Sequence, residues 1–133
     1  MDTFRSMTFL RGVLLIDALS SALVGIVSLA FSELLASLLG LPAQLLMVSA
    51  WVLLPFAAFV AYLASQPEPP RSAVWAVIAL NASWVLGCVA LQLSGDVVLN
   101  SLGYAFIVVQ AVVVGAFAEL QYIGLRRRQA LTA

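Results

Sequence analysis

The sequence predicts an all-α protein, a four-transmembrane-helix bundle forming a single integral membrane domain over residues 1–133. Three observations carry that expectation. Hydrophobic residues make up 64% of the 133 and charged residues only 9%, against about 45–50% and about 25% in an ordinary soluble domain. The few charges divide the chain into apolar stretches of roughly 20 residues, the length that crosses a bilayer at about 1.5 Å rise per residue. All six basic residues are arginines, and they fall on one side of such a fold. A water-soluble domain this small has too much surface for its volume to hide so much apolar material.

The first span, about residues 9–31, runs from Arg11 toward Glu33 and is interrupted only by Asp17. Arg5 and Arg11 ahead of an apolar run, followed by Ser28-Leu29-Ala30, resemble a secretory signal with its small-residue cleavage site. The run is longer than a usual signal core and contains an acid, so it reads as a retained span. No charge occurs between Glu33 and Glu68, which leaves room for a connector and a second span over about 43–65. Pro55 lies inside it and frees the carbonyl of Trp51, which predicts a bend. Gln66-Pro67-Glu68-Pro69-Pro70-Arg71 is a tight polar turn, because its prolines lack the backbone donor and bias their predecessors out of helix. The third span covers about 72–94 and the fourth about 100–124. Trp51, Tyr62, Trp75 and Tyr122 stand mostly near span ends, as interfacial anchors do.

Orientation follows from the arginines. Arg5 and Arg11, Arg71, and Arg126 to Arg128 occupy the N-terminal flank, the proline turn and the C-terminal tail, while the opposite connectors carry only Glu33 and Asp96. The positive-inside rule then places both termini in the cytoplasm.

Those two opposite connectors are alike. Residues 33–40 (ELLASLLG) and 96–103 (DVVLNSLG) each open on an acid, run through aliphatics and close on Leu-Gly at equal spacing. Ala18-Leu19-Ser20 and Gly25 are echoed by Ala79-Leu80-Asn81 and Gly87. The pattern suggests two repeated helical hairpins related by an axis along the membrane normal, as in some transporter folds, although Leu/Ala/Gly-rich helices align readily without common descent. Each connector also carries the punctuation of a short interfacial helix on the outer side. Ser32 and Glu33 suit a helix start, Gly40 with Leu41-Pro42 suits a stop, and Ser94-Gly95-Asp96 with Gly103 is expected to do the same in the second half.

Ionisable groups within hydrocarbon are expensive and therefore candidates for function. Asp17 leads, six residues past Arg11 and so roughly 9 Å inward along the helix axis. Its stripe includes Ser20, Ser21, Ser28 and Ser32, a face suited to other helices. Asp17 reads either as a proton or cation carrier or as a hydrogen-bonded packing residue among small side chains. Span three presents Asn81, Trp84, Cys88 and Gln92 on one stripe. Asn81 is the expected partner of Asp17 if spans one and three face each other, with Gln110 of span four able to join, which makes Asp17, Ser21, Asn81 and Gln110 the candidate intramembrane polar site. Glu119 lies about two turns before Arg126, and an ion pair or snorkelling arginine stem accounts for it. Arg126, Arg127 and Arg128 are a stop-transfer signal and a candidate contact for anionic lipid.

Enzyme chemistry finds little support. The chain has no histidine, which removes the usual general base and most zinc sites. It also lacks paired carboxylates on one helix and a glycine-rich phosphate loop. Its single cysteine, Cys88, forms no intramolecular disulfide. Neither catalytic residues, nor a cofactor, nor a metal, nor a nucleic-acid partner is expected.

Four spans with one acid in the first resemble the small multidrug resistance proteins in outline. Those work as antiparallel dimers, which requires weak charge bias, and their acid is a glutamate. Six arginines on one side and an aspartate depart from that pattern, and the same bias argues against fluoride-channel-like dimers. Through Leu10-Arg11-Gly12, Leu39-Gly40-Leu41-Pro42 and Ala118-Glu119-Leu120-Gln121, and by size and topology across most of its length, the chain looks like small uncharacterised four-helix bacterial membrane proteins, DoxX-like ones among them. That resemblance is one of architecture. It implies a multi-pass protein of the bacterial plasma (inner) membrane, whose DoxX-related members are thought to be subunits of redox complexes. The expectation is a non-enzymatic accessory subunit or binding component, in a homo-oligomer or larger membrane complex. The alternative is a small transporter or channel, a parallel oligomer using Asp17 as a proton or cation site.

Overall fold

The structure, a computed structural model, describes residues 2–95 and 100–132, with side chains over 8–95 and 100–127. The described residues form five helices: α1 (Asp2–Ala30), α2 (Ser32–Leu39), α3 (Ala43–Ser65), α4 (Arg71–Ser94) and α5 (Ser101–Thr132). Four of them are long and apolar enough to cross a membrane, over Thr8–Ala30, Ala43–Ser65, Arg71–Ser94 and Ser101–Arg127. α5 continues past Gly124, where the sequence suggests its end, with Gly124 and Leu125 still packed near Leu10 of α1. α3 runs unbroken through Pro55. The ring faces outward, as its exposure requires.

α1 packs along both α3 and α5, and α5 along α4, whereas α3 and α4 barely approach one another. The order around the bundle is therefore α1, α3, α4, α5, with α1 and α4 on a diagonal. The outside is built for lipid. Leu86 is 69% and Leu93 81% exposed, which hydrocarbon tolerates and water would not. Inside are two apolar clusters. At the arginine-bearing end Leu10, Leu14, Ala18, Val60, Leu63, Val74, Val77 and Leu125 interlock. At the opposite end Leu39, Leu41, Leu46 and Ile107 do so.

Arg11 is more than a flanking charge. Its Nε donates to the carbonyl of Ala64 at 2.9 Å, one of the last carbonyls of α3 and so without an intrahelical partner. A guanidinium at a helix C-terminus is also favoured by the helix dipole. This bond fixes the register of α1 against α3.

The first outer connector is a helix, α2, closed by Gly40 in the left-handed conformation with φ 74° and its N–H on the carbonyl of Ala36. The second differs from expectation. Asp96 to Leu99 lie outside the described residues, but Ser101 already belongs to α5, so no second eight-residue helix closes on Gly103. Asn100 is the reason. Its Oδ1 accepts the N–H of Gly103 at 2.8 Å, the geometry of a helix N-cap, and this starts a helix where the sequence reading placed a stop. Its Nδ2 meanwhile donates to the carbonyl of Leu38 at 2.8 Å, tying the end of α2 to the start of α5. A Cβ on Gly103 would run into the Leu39 carbonyl oxygen, so glycine is needed there for close approach rather than for termination.

Candidate functional site

Three helices each turn one polar side chain toward the same point. On α1 the buried positions Leu10, Val13, Leu14, Asp17 and Ala18 form one helical face, so Asp17 is carried inward with the core. On α4 Val74, Val77 and Asn81 are buried, again at helical spacing. On α5 Gln121 is buried beside Leu125.

The three side chains close a ring. Asn81 Nδ2 donates to Asp17 Oδ2 at 2.8 Å and to Gln121 Oε1 at 3.1 Å. Gln121 Nε2 donates to the same Asp17 Oδ2 at 2.7 Å. Ser21 Oγ, one turn along α1, approaches Asp17 Oδ1 at 3.4 Å, longer than a strong O–H···O bond. Every neighbour presents a donor to the carboxyl group, which is the arrangement an acceptor-only carboxylate needs. Among the described residues no buried side-chain nitrogen or oxygen lacks a partner. Asp17 is only 1% exposed.

The ring spans the diagonal of the bundle. α1 and α4 have no close backbone approach among the described residues, so Asp17 and Asn81 connect them through side chains, with Gln121 completing the triangle from α5. In hydrocarbon such bonds have no water to compete with, yet they are modest individually, averaging about 0.6 kcal/mol. What the arrangement can do is set the rotation and depth of three helices together.

Of the residues singled out from sequence, the structure brings Asp17, Ser21 and Asn81 together and leaves Gln110 elsewhere. Gln110 Oε1 accepts from Trp84 Nε1 at 3.1 Å, a separate bridge between α4 and α5. The two glutamines share a face of α5, being eleven residues apart, but that separation is roughly 16 Å of depth. Gln121 is the member that sequence reasoning missed. Counting depth from the arginines points to it: Asp17 is six residues from Arg11, and Gln121 five from Arg126.

The other polar groups are not part of the ring. Ser20 and Ser83 bond back to Ile16 and Ala79 on their own helices at 2.7 and 2.8 Å, which satisfies a hydroxyl with no external partner. Glu119, two residues from Gln121, lies on the opposite, exposed side of α5. The nearby arginines do not pair with it: Arg126 lies 5.8 Å from the Tyr122 ring centroid and Arg127 5.3 Å from that of Phe9. The side chain of Arg128 is outside the described residues. No group of three metal-ligating side chains occurs among the described residues.

Two clefts open at the arginine-bearing end. One, of about 370 Å³, is lined by Trp75, Tyr122, Leu125 and Arg126. The other, of about 330 Å³, is lined by Tyr122, Ile123, Arg126 and Arg127. Asp17 lines neither. No family model matches the chain, and neither a curated protein nor a solved structure matches it.

Proposed function

We propose that this chain is a non-enzymatic integral membrane component, an accessory or scaffold subunit of a larger membrane complex, in a bacterial plasma membrane with both termini in the cytoplasm. One observation carries the reading. Its most conspicuous intramembrane carboxyl group is buried, held by donors from two other helices, and lines neither cleft. A carrier site needs its carboxylate to exchange partners with solvent or solute, and each such exchange here would break the ring that positions α1, α4 and α5. Asp17 thus acts as an assembly residue.

The placement of all six arginines on one side of the bundle supports the proposed orientation through the positive-inside rule. The exposed apolar walls of the long helices are the surface through which a partner subunit or a second copy would pack, since close packing rather than hydrophobicity drives association within lipid.

The test is Asp17→Asn in proteoliposomes loaded with a pH-sensitive dye and assayed for proton and monovalent-cation flux. The amide preserves shape and hydrogen-bonding capacity but carries no titratable proton. Wild type and variant are expected to show the same flux as protein-free vesicles. A flux present in the wild type and lost in a folded Asp17→Asn protein would establish the parallel-oligomer transporter instead.

A further inference from the structure

Arg11 and Arg126 are used in different ways. Arg11 spends its Nε–H on the Ala64 carbonyl at 2.9 Å. Arg126 lies over the Tyr122 ring, 5.8 Å from its centroid, and no carboxylate or carbonyl among the described residues takes its N–H groups. Contact with an aromatic ring uses none of a guanidinium's five N–H donors in conventional hydrogen bonds, so they stay available to a planar or tetrahedral anion. Arg127 is disposed likewise over Phe9 at 5.3 Å.

The space in front of Arg126 is shaped. Trp75 of α4 meets Tyr122 of α5 edge to face, with ring centroids 5.7 Å apart. These rings, with Leu125 beneath them, wall the cleft of about 370 Å³ that Arg126 heads. That volume is at the lower end of the range for ligand sites, about 300–1,000 Å³. Amphipathic rings at a span end belong at the head-group level. The cleft therefore offers a cation with unused donors above an aromatic and aliphatic wall, at the depth where lipid phosphate gives way to acyl chain.

We propose that the cleft between α4 and α5, walled by Trp75, Tyr122 and Leu125 and headed by Arg126, holds an anionic phospholipid. Its phosphate sits on the guanidinium of Arg126, the cation that lines this cleft, and its upper acyl chain lies against Trp75. This site is independent of the Asp17 ring and of whether the protein is an accessory subunit.

The experiment is native mass spectrometry of the full-length protein released from micelles doped with equal amounts of phosphatidylglycerol and phosphatidylcholine. Phosphatidylglycerol adducts are expected to predominate, and Arg126→Gln, a change on the protein exterior, to lower them about fivefold while leaving phosphatidylcholine adducts unchanged. A basic side chain near an anionic surface contributes on that order. Equal retention of the two lipids, or no effect of Arg126→Gln, would overturn the proposal. Displacement of the phosphatidylglycerol by millimolar inorganic phosphate would overturn it in favour of a free-anion site. A second measurement does not depend on the arginine variant. Brominated phosphatidylglycerol is expected to quench a tryptophan component that disappears in Trp75→Phe, and persistence of that component would place the lipid elsewhere.

Discussion

Replacing Asp17 by alanine removes the acceptor on which two helices converge. Asn81 Nδ2 and Gln121 Nε2 lose their bonds of 2.8 and 2.7 Å to Oδ2, while the contact with Ser21 at 3.4 Å is too long to count for much. At about 0.6 kcal/mol per interhelical bond in a bilayer, two come to about 1.2 kcal/mol, and the largest values measured for single bonds, about 1.7, raise the ceiling to about 3.4 kcal/mol. Asp17→Asn should behave differently. Its Oδ1 accepts both amides and its own Nδ2 can donate to Ser21 Oγ, so stability is expected to stay within about 0.5 kcal/mol of wild type, as for a substitution that leaves no buried group unpaired. Reversible unfolding in bicelles, followed by the loss of helicity with added sodium dodecyl sulfate, measures both. Asp17→Ala as stable as the wild type, or Asp17→Asn as damaging as Asp17→Ala, would refute the ring as a structural element.

Three further outcomes concern Gln121, Arg11 and Gly103. Gln121→Leu is expected to cost about 1–2 kcal/mol, and combined with Asp17→Ala to cost less than the two separately, by about 0.5 kcal/mol or more in a double-mutant cycle. Arg11→Met removes the bond to Ala64 and a favourable charge at the end of α3, which should cost about 0.5–1.5 kcal/mol in the same unfolding assay, while Arg11→Lys recovers part of the charge contribution. Gly103→Ala forces the Leu39 carbonyl away from α5 and is expected to destabilise by about 1–3 kcal/mol. A disulfide trap between cysteines at positions 38 and 100, made in a Cys88→Ser background, should then close more slowly than in the parent.

The four long apolar helices were legible because charge in hydrocarbon is costly enough to leave a mark between them, at the proline turn, Glu33 and the arginines, although α1 begins well before the expected first span and α5 runs well past Gly124. Asp17 with Asn81 was legible for the same reason, since an acid at that depth requires a donor and span three offers one. Gln121 was hidden by its neighbours. Next to Glu119 and the arginines it reads as part of a polar helix end, and only its depth relative to Asp17 distinguishes it from Gln110. The likeness of the two outer connectors misled in a different way. Gly40 and Gly103 each follow a leucine in similar runs, but Gly40 adopts a positive φ to end α2 whereas Gly103 is small so that Leu39 can pass. That difference arises from Asn100 capping α5 and bonding across to Leu38, a tertiary contact that local spacing does not encode.

The most direct test of a dry, occupied Asp17 is its chemical protection in the intact protein. Full-length protein in lipid nanodiscs is treated with a hydrophobic carbodiimide, digested, and mapped by mass spectrometry, with an unfolded sample labelled in parallel. A carboxyl group enclosed by Asn81, Gln121 and Ser21 predicts Asp17 unmodified in the folded protein and modified once unfolded. Labelling of Asp17 at equal rates in both would contradict it, since that requires a carboxyl group open to reagent and free of its partners.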